Sequence, residues 1–226
     1  MRLGRLAADP IRLDIAPRHL FGAQLPPPTL DFRDKDFQPG LYGNDLYPNC
    51  TFVSLTNYMR GVAKCNGFAL SVIDSDALTG YDEFLGRPPD LALTEGANMQ
   101  DVLDYQADNK FQVGKNYWLG IPRVIELDRN SLASSLAAFK GGYWGVMLRE
   151  RDMENNPVWD VVDGRDDGRE VGGHAINARD YTGLSDENTV RIGTWGDWKP
   201  ATWAWIADRL EEAHAVAWPQ LKSAPI

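Results

Sequence analysis

Cysteine, histidine and a carboxamide can together open an acyl bond. The thiolate attacks, the imidazole moves the proton, and N–H donors hold the oxyanion. Cys50 lies in "GNDLYPNCTFVSLTNYMRG", with Asn44 six positions before it. Phe52, Val53, Leu55, Tyr58, Met59 and Val62 follow at helical spacing, which puts Cys50 at a helix N-terminus. There the helix dipole favours thiolate, and the N–H of Cys50 is free to serve an oxyanion beside the Asn44 amide. The plain alternative is a small apolar core residue, since cysteine is among the most buried residue types.

Of the three histidines, His19 sits in an N-terminal arm and His214 in the charged stretch "LEEAHAVAW". His174 stands in "EVGGHAINA", on a predicted strand behind two glycines, which admit close approach of another chain or a ligand. A satisfied structural histidine is the plain alternative. The two cysteines, Cys50 and Cys65, are too few for a disulfide scaffold. On one continuous helix they would lie roughly 22 Å apart, beyond disulfide reach, so two free thiols are expected.

The elements that must position these residues fall in two halves. Helices are predicted after Cys50, at "GANMQDVLDYQADNKF" and at "DRNSLASSLAAFKGG", the last capped by Asn130 or Ser131 and ended by the glycine pair. Short aromatic and β-branched runs follow: "YWGVMLRE", "VWDVVDG", "EVGGHAINARDY", "NTVRIGTW" and "ATWAWIAD". Helices first and strands later give an α+β class with segregated lobes. Residues 1–30, with "LPPPTL", read as an extended arm held against its own body or a partner. Residues 31–226 form the main domain, a helical lobe over about 40–110 and a β lobe over about 111–226. Arg2, Arg5, Arg12 and Arg18 make the arm basic, which suits either an acidic partner or a solvated tail.

These motifs, in this order, resemble the papain-like (C1-type) cysteine peptidases over most of residues 31–218. "DFRD" resembles the mature start of that family, and "NDLYPNCTF" its cysteine segment, with Asn44 at the oxyanion-hole amide position. "GANMQDVLDY" resembles the second helix of the helical lobe, "GGHAINARDYTG" the histidine strand, and "RIGTWGDW" the segment after it. "TWAWIADRL" resembles the strand that closes the β lobe. The resemblance implies a papain-like two-lobe fold, with Cys50 as nucleophile, His174 as base and Asn44 as oxyanion donor. The asparagine that orients the imidazole in that family falls on Gly193, which has no side chain. Thr194 is next to it and could bond a ring nitrogen, and Trp195 keeps the position that shields this bond. The variant also resembles proteins of tailed bacteriophages and prophages.

Two functions follow. One is cleavage of a peptide or isopeptide bond by a Cys50–His174 dyad. The other is a catalytically degenerate papain-fold structural or assembly protein of a virion, its arm threaded along neighbours. An open groove beside Cys50 would favour the first, and a cleft filled by the chain's own arm the second. The net charge of −9 disfavours nucleic acid, and no apolar run reaches membrane-spanning or signal-peptide length. A soluble protein of a reducing compartment is expected, in the host cytoplasm or in a phage particle. "DGRDDGRE" lacks calcium-loop spacing and reads as a solvated turn, and no motif calls for a metal or another cofactor. Closely spaced Trp195, Trp198, Trp203 and Trp205 suggest β-lobe core packing over a carbohydrate platform, with Trp203 and Trp205 on one strand face.

Overall fold

The computed structural model describes residues 2–22, 25–86, 96–109, 111–113, 116–161 and 167–221. Parts of the "DGRDDGRE" and "VWDVVDG" runs lie outside these residues. In the first half a short helix α1 (Pro10–Ile15) precedes α2 (Cys50–Cys65), α3 (Asp74–Leu85) and α4 (Met99–Asn109). A small ribbon, β1 (Phe111–Val113) with β2 (Asn116–Trp118), leads to β3 (Ile121–Val124) and α5 (Arg129–Phe139). The second half runs β4 (Gly142–Arg149), β5 (Glu170–Tyr181), β6 (Thr189–Thr194), β7 (Asp197–Thr202), α6 (Trp203–Arg209) and β8 (Leu210–Ala217). Strands β3 to β8 form one antiparallel sheet in the order β3-β8-β4-β5-β6-β7. The fold is the expected α+β arrangement.

Helix α2 runs unbroken through Gly61, so both free cysteines lie on it, one at each end. Phe52, Leu55, Tyr58, Met59 and Val62 pack with Met99, Val102 and Leu103 of α4, Tyr143 of β4 and Ala175 of β5. This core clamps the start of α2 against the middle of the sheet. The sheet's own core contains Trp144, Trp159, Trp203 and Trp205, all buried.

Several local expectations are corrected. "TWAWIADRL" is a helix, because the Thr202 hydroxyl accepts from the Trp205 N–H and caps α6; the closing strand is the following "LEEAHAVA". Trp203 and Trp205 still fill the core, but from a helix. The cap of α5 is Asp128, which accepts from the Ser131 N–H, and Lys140 in the left-handed region ends it just before Gly141. Within the acidic loop Asp167 is buried and paired with Arg209, which also binds Asp152, so this carboxylate is structural rather than solvated.

The arm is not wholly extended: Asp9 caps α1. Nor is it a solvated tail. Arg12 pairs with Asp101 and Asp104, Arg18 with Glu126, and Leu30 pairs in backbone register with Tyr181. The acidic partner of the arm is the body of its own chain.

Candidate active site

Cys50 is the first residue of α2 and only 1% exposed. The backbone N–H groups of Ala175, Gly4 and Thr51 around it act to lower the pKa of its thiol. These donors and the charge of Arg5 favour thiolate, but burial outweighs them and the pKa is raised. Helix position alone predicts the opposite direction; desolvation costs the anion more than the donors return. Ala175 is the residue after His174, so helix start and histidine strand meet here.

His174 is buried on β5, opposite Val146 of β4. Its Nε2 lies 2.7 Å from the Thr194 hydroxyl, while its Nδ1 is buried without a hydrogen-bond partner. Cys50 and His174 therefore share one site but are not hydrogen-bonded to each other. Burial first, and the Arg5 charge second, pull the imidazole pKa down to about 3, so the ring is neutral at pH 7.

Thr194 ends β6, and Trp195 and Gly196 make the two-residue turn into β7, where Thr194 pairs with Asp197. Both turn residues have positive φ, 48° at Trp195 and 82° at Gly196, as a type I′ hairpin requires. Tryptophan is a costly choice there, on the order of 1 kcal/mol. Its indole stacks on the His174 ring at 4.7 Å; Trp159 meets Trp195 edge-on and itself stacks on Trp205. The turn thus holds the hydroxyl and the ring that fix the imidazole. At Gly193 the nearest neighbours of an added Cβ would be Trp198 and Asn177, whose amide is buried and unpartnered.

The Asn44 amide donates to the carbonyls of Tyr47, at 3.1 Å, and Arg2, at 3.3 Å. The second of these belongs to the arm, whose first residues run through the cleft. Arg2 N–H binds Asn44 O, Arg5 N–H binds Gly173 O, Leu6 N–H binds Ala97 O, and Ala97 N–H binds Gly4 O. Arg5 is in antiparallel register with Gly173 and parallel register with Ala97, so the arm is a strand wedged between the two walls. Close packing here depends on glycine. A Cβ on Gly4 would overlap the Pro48 carbonyl, one on Gly96 the Gly4 carbonyl, and one on Gly173 the Arg5 carbonyl. The glycine pair before His174 admits a chain, as its sequence suggests, and the chain is the protein's own.

The Arg5 side chain turns inward. Its guanidinium bonds Glu212, at 2.8 Å with both side chains fully buried, and Glu211, which is 40% exposed. His214 Nε2 donates to the Glu212 carboxylate over 2.9 Å. Burial pushes the Glu212 pKa up, but His214 and Arg5 together outweigh it and leave it below its ordinary value. Nothing local in the sequence marks Gly4, Arg5 or Glu212 as site residues. Arg5 is only one of four arginines in the basic arm, and Glu212 one carboxylate of a charged stretch.

Helical elements on one side, an antiparallel sheet on the other, a cysteine at a helix start and a histidine on the facing strand make up the papain-like cysteine protease fold, which this chain has. Among solved structures it is similar to xylellain, a cysteine protease from Xylella fastidiosa, with TM-score 0.66 and 14% identity over 99% of this chain and 96% of that one. It is also similar to digestive procathepsin L 3 of the Tenebrio molitor larval midgut, with TM-score 0.63 and 11% identity over 90% and 74%. A third is proCathepsin B S9 from Trypanosoma congolense, with TM-score 0.56 and 12% identity over 96% and 86%. No protein-family model matches the chain, and no curated protein matches it in sequence. Among the described residues no helix is long and apolar enough to cross a membrane, and no cluster of His, Cys, Asp and Glu is set to hold a metal ion.

Proposed function

We propose that the protein is a cysteine peptidase held latent by its own N-terminal segment, acting on peptide or isopeptide bonds of a protein substrate. One observation carries this reading: residues 2–6 lie in the cleft, bonded through their backbone to Asn44, Ala97 and Gly173, the residue before His174. The Gly4 carbonyl accepts from the Ala97 N–H at 2.7 Å and the Arg2 carbonyl from the Asn44 amide at 3.3 Å, so the arm takes up donors that line the cleft. The arm then acts as a plug that occupies the cleft in place of a substrate.

With the arm displaced, water reaches the dyad; loss of burial moves the two pKa values toward each other, while loss of the Arg5 charge raises both. Thr194 occupies Nε2, which leaves Nδ1 to take the Cys50 proton. The sulfur then attacks the substrate carbonyl. Asn44 Nδ2, freed from Arg2, and the Cys50 N–H, which has no acceptor inside the helix, hold the oxyanion. The Nδ1 proton passes to the leaving amine, and water hydrolyses the thioester. Thr194 and Trp195 act as positioning residues in place of the absent orienting amide.

A second reading keeps the fold as a noncatalytic structural or assembly protein. It is favoured by the filled cleft and the neutral, unbonded dyad. Its virion setting rests on the motif resemblance alone, and a host-cell cytoplasmic location rests on the same ground. The test is hydrolysis of denatured casein by a Gly4→Ala protein, with Cys50→Ala and His174→Ala made in the same background. Cleavage abolished by either second change supports the peptidase. A folded Gly4→Ala protein whose Cys50 reacts freely with alkylating agents yet cleaves nothing would leave the structural role standing.

A further inference from the structure

The side chain that fastens the arm marks a pocket beside Cys50. Its floor is Glu212 on β8, which faces Gly145 of β4 in register. Glycine at this position makes the room: a Cβ there would lie 2.7 Å from Glu212 Cγ and 2.8 Å from both Arg5 Cδ and Met99 Sδ. Glu211 closes the outer side, and the Val146 carbonyl lies 3.5 Å from the guanidinium. The Glu212 carboxylate is buried and that of Glu211 part-exposed beside it, and the two repel each other unless a cation sits between them. Only part of that demand is met by His214 on Glu212.

We infer that this pocket is a specificity subsite for a basic side chain, arginine above all, in the peptide that replaces the arm; this rests on the peptidase reading above. Arg5 is then a stand-in for substrate. The fork of a guanidinium reaches both carboxylates and the carbonyl at once, whereas an ammonium is a point charge with less reach across the pocket. An uncharged side chain would leave Glu212 buried with His214 alone, the situation that costs most in a desolvated charge pair. The chain's net charge of −9 also draws basic peptides toward it.

The test uses the full chain carrying Arg5→Ala, whose own segment no longer fills the hole. Two peptides copy residues 3–7: acetyl-Leu-Gly-Arg-Leu-Ala-amide, and the same with norleucine for arginine. Calorimetry at pH 7 should show the arginine peptide binding about 30-fold tighter or more. Glu212→Gln in the same background should bring the two within roughly threefold, in line with the loss of one buried charge partner. Since Glu212 is buried and its variant risks misfolding, half-exposed Glu211→Gln is the companion, expected to narrow the gap in a folded protein. Equal affinities overturn the proposal, even if the protein proves to be a peptidase. Binding of neither peptide overturns it too, since a pocket freed of Arg5 that ignores arginine adds nothing to recognition. A retained preference together with no casein hydrolysis by the Gly4→Ala protein sustains the pocket and sinks the peptidase reading instead.

Discussion

Replacing Gly4 by alanine should open the cleft without altering Cys50 or His174. The added methyl overlaps the Pro48 carbonyl oxygen, a backbone atom two residues before Cys50 that has little freedom to retreat. The forces on residues 2–6 are nearly balanced. Their backbone bonds to Asn44, Gly173 and Ala97, with the Asn44 amide on Arg2, contribute roughly 1 kcal/mol each. The charged bonds of Arg5 add about 1.5–3 kcal/mol. Ordering the same stretch costs about 1–2 kcal/mol per residue. The two sides come within a few kcal/mol, so an overpacking penalty of about 1–3 kcal/mol is enough to shift the population. That range corresponds to a rise of about fivefold to 150-fold in the open form. The assay is iodoacetamide alkylation at pH 7, followed by peptide mass mapping, with Cys65 as internal reference. Cys50 labelling should accelerate by at least about fivefold while Cys65 is unchanged. A folded variant whose Cys50 reacts at the wild-type rate would refute the latch.

The remaining expectations concern the same site. In the wild type, Cys65 should be alkylated before Cys50, because it is partly exposed and receives the Arg179 guanidinium at 3.2 Å, while Cys50 is buried with a raised pKa; faster labelling of Cys50 would show that the arm does not cover it. Acid should release the arm, since the latched form holds His174 near 3 against an ordinary value of about 6.5, so the open form binds the extra proton between them. The latch is thus at full strength above about pH 6.5 and weakens by up to about tenfold per unit below it. Glu212, held below its ordinary value by His214 and Arg5, adds to release only as pH falls through its own lowered pKa. Hydrogen-exchange protection at Arg5, Leu6 and Ala97, corrected for intrinsic rates, should fall from pH 7.5 to 5, and constant protection would contradict this account. Thr194→Ala should cost about 1 kcal/mol in denaturant unfolding and slow Cys50 alkylation in the Gly4→Ala background, with Thr194→Ser restoring both; an unchanged alkylation rate would remove Thr194 from the positioning role.

What the sequence determined by itself was everything written in short-range periodicity. The 3.6-residue spacing after Cys50 marks α2, and the glycine pair before His174 marks a strand that another chain can approach. The order of motifs gave the two-part architecture, and the position of Thr194 beside the blank Gly193 made its hydroxyl a candidate partner for the imidazole. Aromatic alternation misled at Trp203 and Trp205, because the same spacing serves a short helix once Thr202 caps it. The contacts that decide the state of the site carry no such signal. Arg5 and Glu212 lie 207 positions apart, and nothing near either one names the other. A helix start favours thiolate, but whether the helix end meets water or a plug depends on where a distant segment lies. Here the plug excludes water, so desolvation outweighs the dipole and Cys50 and His174 are both left uncharged. Local chemistry chose the residues; only the packing of the arm, through the dielectric it imposes, decided their charge.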